Sequence, residues 1–303
     1  MERRWQGTTE MTAAMAILGT IGWFVVESGV PALGVVFWRC ALGAITLLVI
    51  CLALGHLRTL PPRRVLLLAA LGGVAIVLNW LLLFASFSRA SISMATAVYN
   101  TQPFMLVLFG ALFLSERLTA TKVLWLMVAF AGLLLVVQAT TGADVLNTRY
   151  LSGIAMALAA AFFWAVAAIL AKKLTGTPPH LIALIHVLVG TAMLAPFQFA
   201  IELPAGAHAW SLLAVIGVVH TGLVYILLYS AIQKLPTHLQ ASLSFVYPVV
   251  AIVVDRIAFD RHLEPLQIVG AVAILLAAAG MNLGWQIPQL RRKQPAAPVK
   301  RCR

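Results

Sequence analysis

Two short polar stretches interrupt otherwise apolar runs, and each stands just before a proline. In the first, Tyr99, Asn100, Thr101 and Gln102 precede Pro103; in the second, Ser244 and Tyr247 precede Pro248. Phenol, hydroxyl and amide groups at this spacing offer donors, acceptors and aromatic faces, which is the chemistry of solute recognition. A proline inside a helix removes one backbone donor and clashes with the carbonyl four residues back, that of Tyr99 in the first stretch. In hydrocarbon such a break survives only where the freed groups face protein or a wet cavity. At about 1.5 Å per residue, both prolines fall near the bilayer midplane, reached from opposite sides. Pro103 and Pro248 are therefore read as structural residues that shape a site, with Tyr99, Asn100, Gln102, Ser244 and Tyr247 as substrate contacts.

Other polar residues extend this pattern. Ser244, Tyr247, Ala251 and Asp255 recur at three- and four-residue steps and share one helix face. Thr221, Tyr225 and Tyr229 make an i, i+4 stripe beside His220, while Asn79 lies next to Trp80. Asn79, Trp80, Trp164, His220 and Tyr225 complete the candidate substrate contacts. Each alone serves helix packing equally well, since interhelical hydrogen bonds contribute about 0.6–2 kcal/mol. The ensemble points to a polar-aromatic cavity suited to a zwitterion or small amphipathic solute.

Ionisable side chains in such runs cost roughly 2.5–3.5 kcal/mol at a helix centre, so each needs a reason. Glu27, Asp255 and Arg256 lie near one end of their spans and are candidates for an outer gate, or for a charge cluster wetted by headgroups. Arg39 sits near mid-span and is assigned a structural role. A histidine that changes charge between about pH 5 and 8 can carry a coupling proton; His186 and His220 are the in-span candidates, with Glu27 or Asp255 as the other. Glu116, Arg117 and Lys122 read as loop charge.

The elements that must hold these groups follow from composition. The 303 residues are 62% apolar and only 10% charged, against about 45–50% and about 25% in soluble domains. The chain is an integral membrane protein. About ten apolar runs reach the length of roughly 20 residues that crosses a bilayer, the fourth near Ile92–Leu114 and the ninth near Ala241–Phe259. Sixteen of the 21 basic residues fall on one side, and only Arg89, Arg149 and Arg261 on the other. That asymmetry places both termini in the cytoplasm. The start resembles a signal peptide, but no small-residue cleavage site precedes Pro31, so it reads as a retained first helix.

The net charge of +12 resides in short loops and the tail, without aromatic interleaving, which excludes nucleic acid as a partner. Three cysteines, Cys40, Cys51 and Cys302, make neither a disulfide framework nor a metal site. There is no phosphate loop, no metal-ligand cluster and no catalytic constellation, so no cofactor is expected and the chain is not read as an enzyme. Residues 139–149 divide the chain into five spans plus five, giving a first repeat (1–138), a second (150–285) and a basic tail (286–303). An odd count per half inverts the second half relative to the first. Trp23 with Trp164, Arg39–Gly43 with His186–Gly190, and Pro103 with Pro248 match between halves.

By this point the residues form a pattern. Pro103, the apolar run to Phe113–Leu114–Ser115–Glu116–Arg117–Leu118–Thr119, and then Gly132 resemble the signature helix pair of the EamA-type drug/metabolite transporters. Phe37–Trp38–Arg39 after Pro31 is similar to that family's arginine-bearing second helix, and Tyr247–Pro248, Leu263, Gln267 and Gly270 repeat the pair. The resemblance covers Met11 to Trp285; arginine stands at position 261, where the family's acid is expected, with Asp260 beside it. It implies an all-helical inner-membrane carrier, two inverted five-helix repeats around a cavity lined by helices one, three, four, six, eight and nine. It also implies small metabolites, often amino acids, as exported substrates. The resulting expectation is a bacterial inner-membrane exporter working by alternating access. Efflux of drugs or cations is the adjacent alternative, and an enzyme acting on lipid-linked substrates or a receptor the alternatives of another class.

Overall fold

The structure, a computed structural model, describes residues 2–59, 61–87, 89–90, 95, 98–137, 148–198, 203–259 and 265–285, without the side chains at 87, 136, 137, 198, 252, 255, 256 and 259. Position 261, residues 139–147 of the connection and the basic tail lie outside the described residues. Every regular element among them is helical. The order is α1 (Glu2–Gly19), α2 (Ile21–Glu27), α3 (Ala32–Ala53), α4 (Arg63–Phe87), α5 (Gln102–Leu114), α6 (Ala120–Val137), α7 (Thr148–Lys173), α8 (Pro179–Gln198) and α9 (Gly206–Val215). A π-helical segment, π1 (Ile216–Leu223), follows, then α10 (Val224–Lys234), α11 (Thr237–Ser244), α12 (Val246–Phe259) and α13 (Pro265–Leu283).

Among the described residues, seven helical stretches are long and apolar enough to cross a membrane, and Gln102–Leu114 and Ala120–Leu135 are apolar but shorter. The outer faces explain themselves only in lipid. On α3, Ile45, Leu48, Val49 and Leu52 are exposed, while Val36, Cys40, Leu47 and Cys51 on the opposite side are buried. An apolar patch of that kind in water would mark an aggregation or partner surface; against acyl chains it is the ordinary exterior of a spanning helix.

The expected fourth and ninth spans are both interrupted. In the fourth, α5 starts only at Gln102, after a turn through Asn100 and Thr101, and Pro103 occupies its first turn. There the missing N–H would have had no intrahelical partner. In the ninth, α11 stops at Ser244, Phe245 turns, and α12 resumes with Pro248 in its first turn. Each proline thus sits in the first turn of the helix just past the break. A third interruption, at Thr20 between α1 and α2, has no proline. The Thr20 hydroxyl donates back to the Ile17 carbonyl (2.8 Å).

The two halves of the chain are interleaved. α4 packs on α7 and α1 on α10; α3 lies against π1 and α4 against α8; α5 meets α7, and α12 meets α1. Each contact therefore recurs with the halves exchanged. Small residues make the crossings possible. A Cβ on Gly73 would come within 3.0 Å of the His186 Cα, and one on Gly19 within 2.9 Å of the Tyr247 carbonyl oxygen.

α6 and α13 pair with each other. A Cβ on Gly132 would lie 2.7 Å from the Gly270 carbonyl oxygen, and one on Gly280 would lie 2.6 Å from the Trp125 ring. Because backbone cannot retreat as a side chain can, Gly132→Leu is expected to cost about 3 kcal/mol. Thermal unfolding in detergent should show the loss, with solute affinity unchanged in the protein that remains folded.

Candidate functional site

The interruptions converge on a cavity of about 110 Å³. Its walls come from both halves. Met15, Leu18 and Ile21 reach it from the first span, Trp80, Leu83 and Phe84 from α4, and Tyr99 and Gln102 from the α5 break. Trp164 of α7, Tyr225 of α10, and Ser244 and Tyr247 on either side of the Phe245 turn close it. Of the ten expected substrate contacts, the structure brings seven to this wall.

The other three stand behind it. Asn79 is fully buried, and its amide donates to the Tyr99 hydroxyl (3.2 Å) and to the Ala160 carbonyl (2.8 Å). It therefore braces a wall residue and stands off the lining. Asn100, in the turn itself, is 2% exposed and off the lining. His220 is turned toward the break in the first span: its Nε2 lies 2.8 Å from the Thr20 hydroxyl, its Nδ1 3.4 Å from the Val215 carbonyl, and its ring against Phe24.

Arg39, expected off the cavity, lines it instead. Its guanidinium carbon lies 4.0 Å from the centre of the Trp80 ring, and Nε donates to the Thr221 hydroxyl (3.3 Å). That hydroxyl in turn donates to the Ile216 carbonyl (2.9 Å), five residues back, a spacing that the π-helical register supplies. Trp80 continues into a chain of edge-on rings, Tyr225 at 5.7 Å and then Tyr229 at 5.4 Å, and the Tyr229 hydroxyl meets His186 Nδ1 at 2.5 Å.

The proposed outer gate is only partly visible. Glu27 lies 3.6 Å from His208 of α9, while the side chains of Asp255 and Arg256 lie outside the described residues. At the face bearing Arg4 and Lys172 the structure shows ties that sequence reasoning took for loop charge. Ser115 ends α5 in a left-handed turn (φ 55°), and Glu116 then reaches α11. One carboxylate oxygen accepts from the Thr237 amide (2.9 Å) and hydroxyl (2.8 Å), and the other pairs with Lys172 (3.2 Å). Lys172 also donates to the Leu235 carbonyl, Lys234 pairs with Glu10 (2.5 Å), and Arg4 donates to the Asn282 carbonyl. Glu116 in the sequence looks like any loop acid; its partners lie 56 and 121 positions away. No group of three metal-ligating side chains occurs among the described residues.

An all-helical, multi-pass membrane protein whose interleaved halves enclose a polar-aromatic cavity has the architecture of a carrier. The chain belongs to the EamA-like transporter family, whose model matches residues 11–138 and again 151–283. It is 30% identical to the uncharacterized transporter YxxF of Bacillus subtilis (strain 168), over 90% of this chain and 88% of that one. It is 27% identical to the threonine/homoserine exporter RhtA of Escherichia coli (strain K12), over 84% and 83% of the two chains. A probable amino-acid metabolite efflux pump of Salmonella typhimurium is 28% identical, over 66% and 70%. A crystal structure 21% identical in sequence superposes with a TM-score of 0.80, over 91% of this chain and 96% of that one, which extends the likeness to the fold.

Proposed function

We propose that this chain is a secondary transporter that exports small metabolites such as amino acids across a bacterial inner membrane. The observation that carries the reading is the small cavity walled by both halves at the two proline-associated breaks. Half-helix ends and unwound backbone are where secondary carriers seat their solutes, near the bilayer midplane. In this reading the chain crosses ten times as two inverted five-helix repeats, with both termini in the cytoplasm, and the halves rock about the cavity in alternating access. The Glu116–Lys172–Thr237 and Lys234–Glu10 contacts support a state held closed on the cytoplasmic side. A proton carried by Glu27 or His220 is the coupling candidate.

Cavity size favours metabolites over drugs: about 110 Å³ is well under the ~300–1,000 Å³ of drug-sized sites. The names of the RhtA and efflux-pump relatives make threonine and homoserine the first solutes to try. Proteoliposomes loaded with either should accumulate the labelled amino acid by counterflow, saturably. Tyr99→Phe removes the hydroxyl that accepts from Asn79 and is expected to lower transport efficiency about tenfold, the loss of one hydrogen bond to a buried amide. Absence of counterflow across a panel of amino acids and related metabolites would end the proposal.

A further inference from the structure

Arg39 places a fixed positive charge on the cavity wall and leaves one of its terminal nitrogens without a partner among the described residues. The side chain is 2% exposed. The Trp80 ring covers one face of the guanidinium and Thr221 takes Nε, yet Nη2 has no hydrogen-bond partner among the described residues. No carboxylate stands among the described residues that line the cavity. Arginine carries its positive charge throughout in proteins.

Stacking on Trp80 fixes the plane of the guanidinium, and the bond to Thr221 fixes its rotation in that plane. The Thr221 proton is committed to Ile216, so its oxygen is oriented to accept. What remains is Nη2, a buried donor of a residue that lines the cavity, a group that a carboxylate can meet with a charge-assisted hydrogen bond. Gln102, also a lining residue, carries in Oε1 a buried acceptor that likewise lacks a partner among the described residues. It suits an ammonium group.

We propose that Arg39 is the carboxylate anchor of the transport site, so that the carrier selects solutes bearing a carboxylate and rejects cations that lack one. The inference rests on the transport reading above and deepens it. A bare cation entering the cavity would meet Arg39 without an opposing carboxylate among the described residues of the wall. An amino acid places its negative end on the guanidinium and leaves its ammonium to Gln102 and the aromatic faces.

The test uses the full chain, purified in detergent, with tryptophan fluorescence and thermal stabilisation as readouts of binding. The probes are L-threonine, L-homoserine, L-threonine methyl ester, 1-amino-2-propanol and tetraphenylphosphonium. The two acids are expected to bind at least about tenfold more tightly than the ester, the amine or the phosphonium, because an anchor built for hydrogen bonds is left unpaired by analogues that cannot supply them. Arg39→Lys should weaken the acids about tenfold by losing the fixed planar donor, and Arg39→Gln should erase the difference between threonine and its ester.

Equal binding of acid and ester to the unaltered protein would overturn the anchor. So would an Arg39→Gln variant that weakens both alike, as a packing role predicts, or failure of either acid to bind. Should Arg39→Gln not fold, the acid–ester comparison on the unaltered chain still decides. Binding with this preference but without counterflow would sink the transport reading alone; counterflow without the preference would sink the anchor alone.

Discussion

Gly217→Leu is expected to leave almost no folded carrier. Gly217 of π1 faces α3 at its closest approach: an added Cβ would lie 2.5 Å from the Leu42 Cβ and 3.2 Å from the Gly43 backbone nitrogen. The partner surface is equally tight, since a Cβ on Gly43 would lie 2.8 Å from Thr221 Cγ2 and 3.4 Å from the Gly217 carbonyl oxygen. Backbone meets backbone, so relief requires the helices to part. Overpacking a core by a few methylenes costs about 1–3 kcal/mol, and a helix displacement at this crossing should exceed about 3 kcal/mol. Arg39 and Thr221 each stand four residues from these glycines, so the same displacement pulls the guanidinium off its hydroxyl. The measurement is yield of monodisperse protein and midpoint of thermal unfolding in detergent. A normal midpoint would mean that α3 and π1 do not touch here.

Glu116→Ala should produce the second largest loss. The carboxylate satisfies the first amide and the hydroxyl of α11 and pairs with Lys172, joining the end of α5 to the start of a helix from the other half. Removing it strips an acceptor from a helix N-terminus and leaves a half-buried ammonium, about 2–3 kcal/mol together. The effect has a pH signature. Burial alone would raise the Glu116 carboxyl, but the Thr237 hydroxyl, the Lys172 charge and the Thr237 amide outweigh it and hold it below its ordinary 4.5. A depressed carboxyl stabilises fully above its unfolded value and loses that contribution as pH falls through its folded value. Stability in detergent should therefore be flat in this contribution above about pH 4.5 and decline below it. Glu116→Gln should abolish that part of the decline. An unchanged profile in Glu116→Gln would show that the contact contributes nothing.

Much of this arrangement is legible in the sequence. A polar tetrad before Pro103 and hydroxyls around Pro248 marked both interruptions, because a helix break in hydrocarbon needs a polar neighbourhood and proline announces the break. Aromatic and amide residues at helical spacing then indicated the wall, including Trp80, Trp164 and Tyr225. What stayed hidden depends on contacts between distant positions. Thr20 breaks the first span without proline, and its hydrogen-bond partner, His220, is 200 residues away. The π-register of Ile216–Leu223 leaves no compositional mark. Arg39 looked structural because a mid-span charge has many ways to be satisfied, and only the stacking on Trp80 brings it to the cavity. For Asn79 the residue type was informative and its role was not: an amide near a cavity can meet solute or brace a tyrosine, and sequence does not distinguish them.

Interleaving also sets a timetable for biogenesis. α4 is complete at residue 87, yet its main neighbour α7 ends at Lys173. At about 5–20 residues per second the ribosome needs roughly 4–17 s to cover that gap. Throughout it Asn79 waits for the Ala160 carbonyl, and Arg39 waits still longer for Thr221. The nascent first half must therefore spend seconds in the bilayer with its most polar side chains only partly matched, Asn79 by Tyr99 and Arg39 by Trp80, which makes the insertion machinery, more than the finished fold, the place where this chain is most exposed to proteolytic disposal.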